Sequence, residues 1–141
     1  METPTRPAAP MAAARDAIVV LSTAPDAATG ERIARTLVES RLAACVNIVP
    51  GLVSVYRWKG SISRETEVLC VIKTRRALLP RMAARLREAH PYDVPEILAI
   101  GVSAAARSYL QWLRAETRGT PRKNPAARRT RSHPAKKGKK R

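Results

Sequence analysis

Between residues 17 and 114 the apolar positions fall into runs whose spacing changes from strand-like to helical and back. Residues 17–23 hold Ile18, Val19, Val20 and Leu21 in succession and stop at Pro25, the pattern of a short strand buried on both faces. Pro25 and Asp26 open a segment in which Ile33, Leu37, Val38 and Leu42 recur at helical spacing, with Glu31, Arg32, Arg35, Glu39 and Arg41 on the other side. Gly30 stands in the first turns of this helix, at a cost of about 1 kcal/mol relative to Ala. The next apolar run, 44–49, bends at Pro50-Gly51, after which Val53, Val55 and Arg57 alternate with Ser54, Tyr56 and Trp58. Lys59-Gly60-Ser61 supplies a turn and residues 67–74 return through Val68, Leu69, Cys70, Val71 and Ile72, so a hairpin is predicted.

Leu78, Leu79, Met82, Leu86 and Ala89 predict a second helix, which tolerates Pro80 near its first turn. Pro91 and Pro95 turn His90 and Val94 away from helical geometry and make 90–95 a stiff connector into a fourth strand at 97–102. Ser108-Tyr109-Leu110-Gln111 has the form of a capping box opening a short third helix with Trp112 and Leu113 on one side. The order is β-α-β-β-α-β plus a terminal helix. This predicts an α+β, ferredoxin-like βαββαβ sandwich with both helices on one face of an antiparallel sheet. The strands are too apolar for the other face to stay wet, so an oligomer is expected.

Charge divides the chain further. The formal net charge is +16, yet residues 16–118 hold fifteen Lys and Arg against ten Asp and Glu, whereas residues 119–141 hold ten cations and no acid. With Pro121, Pro125 and Pro134 and no large aliphatic side chain, 119–141 reads as a disordered basic tail. Residues 1–15, with Pro4, Pro7 and Pro10, read as a disordered leader, leaving 16–118 as the single domain. Cys45 and Cys70 lie inside apolar runs rather than in a disulfide framework, which fits a reducing cytoplasm. No segment reaches the roughly 18 to 20 consecutive apolar residues of a membrane span, and no signal core follows a basic flank, so neither membrane insertion nor secretion is expected.

Several stretches together resemble the CutA family: Thr23-Ala24-Pro25-Asp26, Leu42-Ala43-Ala44-Cys45-Val46-Asn47-Ile48, Ser54-Val55-Tyr56-Arg57-Trp58-Lys59-Gly60, Ile72-Lys73-Thr74, His90-Pro91-Tyr92-Asp93-Val94-Pro95-Glu96-Ile97 and Tyr109-Leu110-Gln111-Trp112. The resemblance covers about residues 17–114. It implies a ferredoxin-like subunit assembled as a homotrimer through its sheets, a role in divalent-cation tolerance, and Cu(2+) or another divalent cation as ligand. It implies no catalysis, and no general base stands near Cys45 in sequence to suggest any. Copper ligands would be a cysteine at the end of strand one and histidines before the Pro-Tyr step. Here those positions hold Ser22, and Ala89 followed by His90.

The candidate metal ligands are therefore His90 and Cys45, each with an ordinary alternative: a ring that ends a helix and bonds a carbonyl, and a small buried hydrophobe. Tyr56, Trp58, Lys73, Tyr92 and Glu96 are candidates for an inter-subunit cleft, or else pack the subunit contact with Lys73 and Glu96 paired across it. Arg128, Arg129, Arg131, Lys136, Lys137, Lys139, Lys140 and Arg141 form a candidate nucleic-acid tail. Such a tail would bind non-specifically by counterion release, and this gives the alternative function of a nucleic-acid-associated trimer.

Overall fold

The structure, a computed structural model, describes residues 10–119. The expected basic tail from residue 120 and the first nine residues of the expected leader lie outside the described residues. The elements run β1 (Met11–Ala13), β2 (Ala17–Ala24), α1 (Ala27–Glu39), β3 (Cys45–Trp58), β4 (Ser61–Arg75), α2 (Leu79–Ala89), β5 (Leu98–Gly101), β6 (Ala104–Ala106) and α3 (Arg107–Glu116). The main sheet has the order β3-β4-β2-β5 with every pairing antiparallel.

Alternation along the strands decides what lies on each side. Ile18, Val20, Ser22 and Ala24 of β2 and Val68, Cys70, Ile72 and Thr74 of β4 are all buried. Ile18, Val20, Val68 and Ile72 form one core with Ile33 and Leu37 of α1 and Met82 and Leu86 of α2. This is why the helical spacing of apolar residues was visible: those four helix positions meet the sheet. Asp26 caps α1, its carboxylate accepting from the Thr29 N–H at 2.7 Å.

Gly30 is explained by contact with the sheet. A Cβ at this position would stand 3.0 Å from Val68 Cγ2, so the missing side chain lets α1 approach β4. Gly30→Val is expected to cost about 1–3 kcal/mol by overpacking, read as a lower urea midpoint at unchanged slope. An unchanged midpoint would mean that the helix moves aside freely.

On the other side of the sheet α3 packs only at the end marked by Ala17, which meets Leu110. The register places Leu98 of β5 beside Leu21 and Ile100 beside Val19, and then Val71 beside Leu21. Leu98 and Ile100 are 56% and 51% exposed. The aliphatic surface expected from the sequence is thus present and uncovered by the chain's own described elements.

Two local expectations are corrected. Ordered structure begins inside the segment expected to be a leader, since Met11–Ala13 pairs with Ala104–Ala106. The reason is a second small core in which Ala14 and Ala17 pack on Leu110, with Ala12 and Ala105 beside them; side chains this short let the strands approach α3 closely. The expected capping box at Ser108 and Gln111 is also absent: α3 starts at Arg107 and has no side-chain cap. β6 runs straight into the helix, and the Arg107 N–H donates to the Pro10 carbonyl at 2.9 Å instead. Arg114 then clasps Asp16 with two bonds of 2.8 Å, tying α3 to the start of β2.

Candidate functional site

The hairpin of β3 and β4 projects beyond the helices. A register shift between Val49 and Leu52 accompanies Pro50-Gly51, where Gly51 takes φ +78°, a conformation L side chains rarely adopt. The shift moves the side-chain alternation of β3 by one residue, so Ser54, Tyr56 and Trp58 join the side of the sheet that carries Leu21 and Leu98. Lys59 and Gly60 both have positive φ and close a two-residue turn. That turn sets Tyr56 opposite Ser63 and Ser54 opposite Glu65, with Leu52 opposite Glu67.

The connector after α2 folds over this surface and borders an open cleft of about 700 Å³. Its wall is aromatic on one part, with Tyr56, Trp58 and Tyr92, and acidic on another, with Glu65, Glu67, Asp93 and Glu96. Thr23, Ser54 and Ser63 add hydroxyls. Glu67 is buried, whereas Glu65, Asp93 and Glu96 are exposed at the mouth.

A chain of hydrogen bonds holds the connector in place. His90 ends α2 in an extended conformation and is buried. Its Nδ1 accepts from the Tyr92 N–H at 3.0 Å, so the proton sits on Nε2, which donates to the Thr23 carbonyl at 2.7 Å. The two rings lie 4.7 Å apart, and the Tyr92 hydroxyl donates to Glu67 Oε2 at 2.9 Å. Burial first, then the hydrogen bond to Glu67 and the charges of Glu67 and Glu65, push the Tyr92 phenol far above its ordinary pKa. Tyr56 is raised in the same direction, by desolvation and then by Glu65. Both remain neutral donors across the physiological range.

The expected metal pair, His90 and Cys45, is not brought together. Cys45 pairs with Lys73 and Lys73 with Val19, four residues along β2 from the Thr23 carbonyl that His90 holds. At about 3.3 Å per residue this separates them by roughly 13 Å along the strand. Both ring nitrogens of His90 are also committed, which leaves no lone pair for a cation. Among the described residues no group of three or more His, Cys, Asp or Glu is placed to hold a metal ion. The residues present do not fit a preformed copper site within one subunit.

Lys73 lies on the same side of the sheet as the cleft but six residues along β4 from Glu67, where its Nζ sits 3.6 Å from Cys45 Sγ, and within the subunit it forms no pair with Glu96. Of the five expected cleft residues, Tyr56, Trp58, Tyr92 and Glu96 line the cavity and Lys73 does not. Glu65, Glu67 and Asp93 were not anticipated. A two-residue turn at Lys59-Gly60 would have placed Glu65 across from Ser54, but only once the register was fixed.

The family model for the CutA1 divalent ion tolerance protein matches residues 18–116. The chain is 48% identical over 99 residues to the divalent-cation tolerance protein CutA of Thermus thermophilus, covering 70% of this chain and 96% of that one. It is 44% identical over 101 residues to the chloroplastic protein CutA of Arabidopsis thaliana, covering 72% of this chain and spanning about half, 56%, of the plant protein. The crystal structure of CutA from Xylella fastidiosa superposes with a TM-score of 0.71 at 42% identity, over 73% of this chain and 99% of that one.

Proposed function

Because the chain belongs to the CutA1 divalent ion tolerance protein family, we propose that it serves divalent-cation tolerance by binding rather than by catalysis, as a homotrimer with its ligand seat in the acidic, aromatic cleft. The observation that carries this reading is the convergence of four carboxylates and three aromatic rings on one cavity. Carboxylate oxygens suit hard or hydrated divalent cations better than they suit copper. Because no three of them are placed to hold an ion together, a cation there keeps much of its water and binds weakly, with Kd on the order of 10⁻⁴–10⁻³ M.

The trimer is supported by the uncovered face. Leu98 and Ile100 continue the aliphatic strip of β2 and β4, and the cleft opens on that same side, so an assembly through these sheets would bring a neighbour to its rim. The reducing cytoplasm is part of the same proposal and rests on the absence of a cysteine framework in the sequence. Among the described residues no helix is long and apolar enough to cross a membrane.

Calorimetric titration of the full chain with Mn(2+), Ca(2+), Zn(2+) and Cu(2+) tests the seat. Glu65→Gln, Asp93→Asn and Glu96→Gln are combined, with the buried Glu67 kept. The combined variant is expected to lose about tenfold or more in affinity, at least 1.4 kcal/mol. Superimposable isotherms for the two proteins would remove the cleft as the seat.

A further inference from the structure

We propose that the basic segment 120–141 is itself a ligand of the cleft and occupies it when no divalent cation does. The inference concerns the same cleft as the reading above but a different occupant. It begins with an asymmetry among the acidic residues. Of the six described acids outside the cleft, Asp16, Glu31, Glu88 and Glu116 each pair with an arginine, namely Arg114, Arg35, Arg85 and Arg41, Asp26 caps α1, and Glu39 alone has neither role. Glu65, Glu67, Asp93 and Glu96 form no such pair among the described residues, and the cavity wall holds no Lys or Arg. Four carboxylates gathered without a counter-charge raise the local negative potential and attract cations.

The chain carries the complement. Residues 120–141 hold ten Lys and Arg and no Asp or Glu. The aromatic part of the wall adds to the match, since Trp58 and Tyr56 offer ring faces to ammonium and guanidinium groups. Trp58 already meets one such group, the Lys59 ammonium 5.9 Å from its ring centroid.

Reach sets no obstacle. The 22 residues span up to about 75 Å when extended, against a domain of about 13 Å radius of gyration. Tethering fixes the effective concentration of such a segment near the millimolar range, so even a millimolar intrinsic affinity gives substantial occupancy. Salt should release it, because the Debye length falls from about 10 Å at 0.1 M to roughly 4 Å at 0.5 M.

Zero-length carbodiimide cross-linking of the full chain, with chelator present and read by peptide mass spectrometry, tests the proposal. At low salt, Lys136, Lys137, Lys139 and Lys140 are expected to link to Glu65, Asp93 and Glu96 about tenfold more often than to the exposed carboxylates of Glu31, Glu39 and Glu88. Raising NaCl to 0.5 M should abolish the preference. Mixing isotope-labelled and unlabelled chains shows whether the segment comes from the same subunit or a neighbour, and either supports the proposal. Links spread evenly over the surface, or none, would overturn it. So would a cleft preference that survives 0.5 M salt, because charge would then not be the cause. Since the measurement is made without metal, it stands whether or not the calorimetric titration gives heat. If both readings hold, millimolar Mn(2+) erases the cleft links.

Discussion

Leu98→Asp combined with Ile100→Asp is expected to turn a trimer into a folded monomer, with the mass by light scattering falling from about three chains to one 15.5 kDa chain. Both side chains lie more than half exposed on the side of the sheet away from α1 and α2. Fully burying a large aliphatic side chain is worth about 1.5–3 kcal/mol, and these are already about half buried, so six of them in a trimer contribute on the order of 5–9 kcal/mol to assembly. Six aspartates would forfeit that and also require desolvation of clustered like charges. The internal core uses the opposite alternation of the strands, through Ile18, Val20 and Ile72, and does not touch these positions. Circular dichroism of the variant should therefore stay close to that of the parent. A parent that scatters as a stable single chain at micromolar concentration, or a variant of unchanged mass, would refute assembly through this face.

That surface was readable from composition along the strands, because Leu98, Ile100, Leu21 and Val71 leave nothing polar to face water. The helices were equally plain, since Ile33, Leu37, Met82 and Leu86 recur at the helical period and all four are buried. What could not be read was anything set by register. Glu67 appears in the sequence only as the polar start of an apolar run, yet the alternation of β4 against β2 places it on the cleft side, where the Tyr92 hydroxyl donates to it. Lys73 stands in a motif of the family, and strand geometry carries it six residues along β4 from Glu67, beside Cys45 rather than in the cavity of its own subunit. The β1 segment escaped for another reason. Met-Ala-Ala has no periodicity of its own, and its order comes from Leu110, nearly a hundred positions further along the chain. The apparent capping box failed likewise, because β6 leads directly into α3 and Ser108 lies inside the helix rather than at its N-cap.

His90 separates a metal-ligand role from a positioning role, because the two roles move different measurements. If the ring only positions, His90→Ala should destabilise the protein substantially while leaving the copper and zinc isotherms as they were. The ring is buried and bridges the end of β2 to the connector, so its loss strands the Thr23 carbonyl and the Tyr92 N–H without partners. Each unsatisfied buried group costs about 1–3 kcal/mol, giving roughly 2–6 kcal/mol together. Chemical denaturation at matched protein concentration reads this, since assembly makes the midpoint concentration-dependent. Tyr92 loses its anchor in the same step, so the bond from its hydroxyl to Glu67 should weaken and the phenol should become easier to ionise than in the parent. A ligand would behave in the opposite way: metal heat would vanish on substitution while the metal-free protein kept its midpoint. That outcome would require Nε2 to release the Thr23 carbonyl for a cation, and it would return His90 to the set of metal-binding residues.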